Sequence, residues 1–150
     1  MSALYVIGRI LFALLFVVSG INKFLDLQGA TQAITTHFAV PAQLVGYAAQ
    51  IETFTGMPIA QLIAILGGGL EIFGGLAIAT NFGARTFAVL LALFLAVTIF
   101  YFHDFWNAEA PDRTAGLFAA LKDLALIGAL LMIAGRPRDL VAPAQTYTDI

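Results

Sequence analysis

Residues 59–80 read IAQLIAILGGGLEIFGGLAIAT, an apolar run with one charged side chain, Glu71. At about 1.5 Å rise per residue, a helix of this length crosses the roughly 30 Å hydrocarbon core of a bilayer. Lipid offers backbone amides no partners, so the segment must satisfy them internally, and alternating barrel strands do not fit its pattern. A helix lying against a soluble core would need a polar face, which this run lacks. The run therefore predicts a transmembrane helix.

Three further segments meet the same requirement: Ala3 to Leu25, Ala84 to Phe102, and Thr114 to Ala134, the last closed by Gly135-Arg136-Pro137. The composition agrees, with 61% hydrophobic and 11% charged residues, against about a quarter charged in soluble domains. The expected fold is all-α: one integral membrane domain over residues 1–150, built as a four-helix bundle. The connection from Asp26 to Pro58 is too long for a plain turn. It is expected to hold a short interfacial helical segment after Pro41, where Leu44, Ala48, Ile51 and Phe54 recur at helical spacing. A packing lid over the bundle is the simpler alternative for this piece, and its lack of Lys and Arg argues against anionic-lipid binding by a basic helix. The tail from Val141 to Ile150 is polar enough to be loose.

Several function classes drop out. The net charge is −2 and no basic block occurs, so the electrostatic footprint of a nucleic-acid binder is missing. There is no cysteine, which removes disulfides, thiol redox chemistry and thiolate metal sites. His37 and His103 do not form the facing pair that a bis-histidine haem needs, and no metal site is expected. No nucleophile elbow, P-loop or metal-spacing motif occurs, so no independent catalytic apparatus is legible. Ala3 to Gly20 has the hydropathy of a secretory signal, but no positive segment precedes it and Arg9 interrupts it, so cleavage is not expected.

With four spans, both termini share one side with Arg85, Arg136 and Arg138. Lys23 and Arg113 lie on the other side among Asp26, Glu52, Asp104, Glu109 and Asp112. The Lys/Arg bias points to cytoplasmic termini.

The informative residues are charges inside the spans: Arg9, Glu71, Lys122 and Asp123. Each costs a few kcal/mol if it faces lipid unpaired, so they are expected to face one another. Counted from the cytoplasmic edge, they lie about 9, 13, 18 and 17 Å deep respectively, one layer that side chains can bridge. Adjacent helix residues point about 100° apart, so Lys122 and Asp123 should reach different helices. The expected network joins Glu71 to Arg9 and Lys122. Lys23 lies on nearly the same face as Arg9, with Phe16 and Gly20 between them, and extends this interior stripe to the acidic-side mouth.

Gly67, Gly68, Gly74 and Gly75 surround Glu71 at helical spacing. That bare surface suits either a close helix backbone or a flat ligand. Phe100-Tyr101-Phe102-His103-Asp104-Phe105-Trp106 closes the third span. It reads either as an interfacial aromatic belt or as a mouth for an aromatic or lipidic ligand, with His103 as a polar handle and Trp106 among the candidate ligand-binding residues.

These residues also resemble a family. Arg9 to Lys23, with Leu15-Phe16-Val17-Val18-Ser19-Gly20-Ile21-Asn22-Lys23, is similar to the first-helix motif of the DoxX family of small bacterial membrane proteins. Leu70-Glu71-Ile72-Phe73-Gly74-Gly75 with Gly83-Ala84-Arg85 resembles the second motif, and Phe102-His103-Asp104-Phe105-Trp106 the third. Leu121-Lys122-Asp123-Leu124-Ala125 resembles the fourth, with Asp123 adding a negative charge where that family more often has Asn. The resemblance implies a four-helix inner-membrane protein, in relatives sometimes tied to redox complexes, including the quinone-coupled thiosulfate-oxidising DoxD type.

Taken together, the expected role is an accessory or ligand-binding membrane subunit that holds a quinone or lipid near the buried polar layer. Its expected partners are membrane lipids, a redox or stress-response protein and a second copy of the chain. A quinone-coupled oxidoreductase subunit acting on a small sulfur compound and a small transporter stand as the alternatives.

Overall fold

The computed structural model describes residues 3–103, 105–107, 109 and 112–136. Asp104, Arg138 and the polar tail over 141–150 lie outside the described residues. The rest forms helices α1 (Ala3–Leu25), α2 (Leu27–His37), α3 (Val45–Thr55), α4 (Ile59–Thr80), α5 (Ala84–Phe102) and α6 (Asp112–Ala134), with a 3₁₀ turn over Ala42–Leu44. Among them α1, α4, α5 and α6 are the 4 helices long and apolar enough to cross a membrane. Helices α1, α4 and α5 occupy the expected spans, and α6 starts at Asp112 rather than Thr114.

The ends of α4 explain why it stops where it does. Glu52 of α3 accepts a hydrogen bond from the Ile59 N–H at 2.8 Å through its Oε1. One of the free amides at the helix start is thereby satisfied by a carboxylate, the charge that end favours. At the other end Asn81 adopts φ 65° and Gly83 φ 64°, so two left-handed residues reverse the chain into α5.

The spanning helices form a row. Helix α1 packs on α4, α4 on α5 and α5 on α6, whereas α1 and α6 make no comparable contact. The α1 face turned inward is Arg9, Ala13, Phe16 and Gly20, a helical stripe of steps 4, 3 and 4. Its approach to α4 is close. A Cβ added at Gly20 would lie 2.5 Å from the Gly68 carbonyl oxygen, and one at Gly75 would lie 2.8 Å from Val17 Cγ2 and 2.9 Å from the Ala13 oxygen. Small residues give membrane helices this proximity, because lipid tails are as apolar as leucine and dispersion contacts must carry the association. Phe16, Ile78, Leu91 and Leu130 are fully buried along the row. Leu66, Phe73, Leu93 and Met132 are exposed on its outside, as a lipid-facing surface requires.

The connection between α1 and α4 holds two short helices, α2 before Pro41 and α3 after it. Asp26 caps α2, its carboxylate accepting from the Gly29 N–H at 2.9 Å. Ile34 of α2 then packs with Ala60 and Ala64 of α4, flanked by Leu27, Ala30 and Phe38. Helix α3 buries no residue and exposes Val45, Tyr47, Ile51 and Phe54, so the packing lid is α2 and not the segment after Pro41. Removing the cap with Asp26→Ala is expected to cost about 1 kcal/mol, read as a lower midpoint in thermal unfolding followed by circular dichroism. An unchanged midpoint would mean that packing on α4 alone holds α2 in place.

Candidate functional site

Because α1 and α6 do not close on each other, the row encloses a cavity of about 1220 Å³ against α2. Phe16, Ile34, Phe38, Phe94 and Leu95 supply much of its apolar wall. Two hydrogen-bonded polar pairs face it, one an ion pair from α1 and α4, the other a His–Asp pair from the end of α5 and α6.

The first pair is Lys23 Nζ with Glu71 Oε2 at 2.6 Å. Glu71 is only 4% exposed, a burial a carboxylate tolerates only when paired and hydrogen-bonded. Ser19 completes it: its hydroxyl accepts from Lys23 Nζ at 3.1 Å and donates to Glu71 Oε1 at 3.1 Å. Lys23 also lies 6.0 Å from the centre of the Phe94 ring, close enough for a cation–π contribution.

The second pair is His103 Nε2 with Asp123 Oδ2 at 3.0 Å. Both the neutral Nε2–H tautomer and the imidazolium donate in this geometry. The neighbouring rings fix the mouth. His37 stacks on Phe102 with centroids 5.2 Å apart, and Phe38 meets Tyr101 edge-on at 5.3 Å.

This arrangement differs from the expected network. Arg9 is buried but reaches away from Glu71, donating through Nη2 to the Ala79 carbonyl at 2.9 Å. Lys122 lines the cavity yet is exposed, with no hydrogen-bond or ion partner among the described residues. Side-chain direction accounts for both. Each Cβ leans toward the start of its own helix, so Arg9 on α1 is carried toward one end of the bundle. Glu71 on the antiparallel α4 and Asp123 on α6 are carried toward the other, where Lys23 and His103 wait. Counting depth along the helix axes omits this lean and places Arg9 and Glu71 in one layer.

The glycines are helix contacts first. Gly68 and Gly75 admit α1, while Gly67 and Gly74 face Phe94 and Leu91 of α5. Of the four, only Gly67 borders the cavity, so they do not form a continuous ligand groove. Trp106 stands outside the cavity, against Phe100 and Phe105 with ring centroids 5.9 and 4.9 Å away. That position suits the interfacial belt.

Sequence reasoning placed Tyr101 in the aromatic mouth but left out Ser19 as a site residue and the α2 residues Ile34 and Phe38. Ser19 had a signal, since it lies four residues before Lys23 on one helix face.

A family model described as DoxX matches residues 4–104. The chain belongs to the DoxX family. No curated protein and no solved structure matches it. With its four apolar helices, this DoxX protein is a multi-pass membrane protein. The matched region contains Ser19, Lys23, Glu71 and His103, whereas Asp123 and Lys122 lie beyond it on α6.

Proposed function

We propose that this DoxX protein is an accessory subunit of the bacterial inner membrane, with cytoplasmic termini, that holds one lipidic or quinone-like molecule in the cavity and serves a redox or stress-response partner. The observation that carries this reading is the joining of the Lys23–Glu71 ion pair and the His103–Asp123 hydrogen-bonded pair by a long apolar wall. Drug-sized ligand sites occupy about 300–1,000 Å³ and combine apolar walls with a few placed polar groups. At about 1220 Å³ the cavity lies above that range, which suits an elongated amphipathic guest. Its ring or head group would meet Lys23, Ser19 and His103, and its tail would run along Leu11, Leu14 and Leu15 of α1, which also border the cavity. Bacterial orientation rests on the arginine-rich end, and the redox partner on family resemblance.

Solvent extraction of the purified protein followed by mass spectrometry tests the binding. A quinone or lipid is expected at about one per chain, with retention reduced roughly tenfold in Glu71→Gln and in Asp123→Asn, the equivalent of losing one charge-assisted hydrogen bond. Failure of the wild-type protein to retain or rebind any such molecule would overturn the reading. Thiosulfate-dependent quinone reduction and solute flux, measured in the same proteoliposomes, separate a binding role from the oxidoreductase and transporter alternatives.

A further inference from the structure

One cation on the cavity wall is left unmatched by the protein. Lys122 stands on α6 ten residues after Asp112 and twelve before Ala134, about 15 and 18 Å along the axis from the two helix ends. Its four-carbon stem falls short of either end, so the ammonium cannot leave the hydrocarbon layer by stretching. The residue lines the cavity, is exposed, and has no hydrogen-bond or ion partner among the described residues. Unpaired charge at such a depth is costly and marks a site.

The carboxylates nearby are already engaged. Glu71 holds Lys23 and Ser19, and Asp123 holds His103. Asp123 is also the next residue along the helix, turned about 100° from Lys122. The other described carboxylates, Asp26, Glu52, Glu109 and Asp112, take no part in the cavity wall. What Lys122 lacks is therefore a negative charge from outside the chain. A neutral carbonyl would return less of the hydration an ammonium loses, because hydrogen bonds between two ionised groups are the strong ones. The wall around it is apolar, with Leu126 one turn along α6 and Phe94, Leu95 and Val97 on α5.

We infer that the guest of the cavity is an acidic amphiphile whose anionic head group pairs with Lys122 while its chain lies along this apolar wall. The head group is a fatty-acid carboxylate or the phosphate of an acidic phospholipid, both of which present a charged oxygen on an acyl chain. The inference rests on the reading that the cavity holds a guest, and it narrows that guest from a lipidic or quinone-like molecule to a charged lipid. Helix α6 packs on α5 and makes no comparable contact with α1, so the chain enters from the side and the head group stops at the lysine.

Native mass spectrometry of the full chain in detergent, buffered where the fatty acid is ionised, provides the test. The probes are two pairs that differ in charge and share their chains, palmitate with hexadecanol and phosphatidylglycerol with diacylglycerol, together with a short-chain quinone. The wild type is expected to retain the acidic member of at least one pair about tenfold better than its neutral partner, the value of one hydrogen bond to a charged group. Lys122→Met is expected to remove that preference and Lys122→Arg to keep most of it. Lys122 is exposed and bonded to no described residue, so these variants leave the packing of α6 on α5 intact. Arg113→Gln, near the start of the same helix, should leave the preference unchanged. A preference confined to the first pair assigns the carboxylate, one confined to the second assigns the phospholipid, and either supports the inference. Retention of the quinone or the neutral lipids as strongly as the acids overturns the inference and leaves the cavity a binding site; retention of no probe overturns both. A preference that persists undiminished in Lys122→Met places the anion elsewhere and overturns the inference as well.

Discussion

Lys23→Met is expected to destabilise the bundle by about 3–5 kcal/mol, the usual cost of breaking a buried ion pair by removing one partner. The loss arises because Glu71, 5% exposed in its side chain, keeps a full charge with only the Ser19 hydroxyl to satisfy it. Lys23 itself is 30% exposed, so water that reaches the vacated position places the effect toward the lower figure. The double variant Lys23→Met with Glu71→Leu is expected to recover most of the loss, since an apolar pair of similar volume pays no desolvation penalty. Unfolding in mixed detergent micelles, followed by circular dichroism, measures all of these. A single variant as stable as wild type would mean that the pair is dispensable to the fold, leaving ligand binding as the reason for its placement.

Gly20→Ala is expected to weaken the α1–α4 interface by about 1–3 kcal/mol through overpacking. The new methyl carbon would stand 2.5 Å from the Gly68 carbonyl oxygen and 2.7 Å from Ile72 Cγ1, and of these only the isoleucine side chain can turn away. The helices must therefore separate, which also draws Lys23 from Glu71 across the same seam. Gly128→Ala is the matched control, because nothing lies within 4 Å of its added carbon. It is expected to be neutral or slightly stabilising on helix propensity. Equal stability of the two variants in the same unfolding assay would show that the α1–α4 seam has slack.

The spans were legible to within a residue or two because lipid imposes one rule along each of them: long apolar runs bounded by polar turns such as Asn81 to Gly83. That Glu71 must be paired was equally legible, since a lone carboxylate in hydrocarbon is costly. Its partner was not, because Lys23 sits near the end of its helix and looks like an interfacial residue until its backward lean is considered. Helix α2 was legible in principle, with Asp26 as the cap and Leu27, Ala30 and Ile34 on one face, but the run of Thr31, Thr35 and Thr36 weakens the helical pattern. Their hydroxyls turn out to bond carbonyls four residues back, so these threonines stay inside the helix. The cavity had no signature at all. Phe94, Ile34 and Leu95 are the same residue types that would fill a solid core, and only the failure of α1 and α6 to meet leaves space between them.

That missing seam makes the bilayer a structural component. If the cavity holds the proposed guest, acyl chains of the bilayer compete with that guest for the slot that α6, packed on α5 and not on α1, leaves open. The competition is then set by mole fraction within the membrane rather than by concentration in water, so affinities obtained in different amphiphiles will differ even though no side chain has moved.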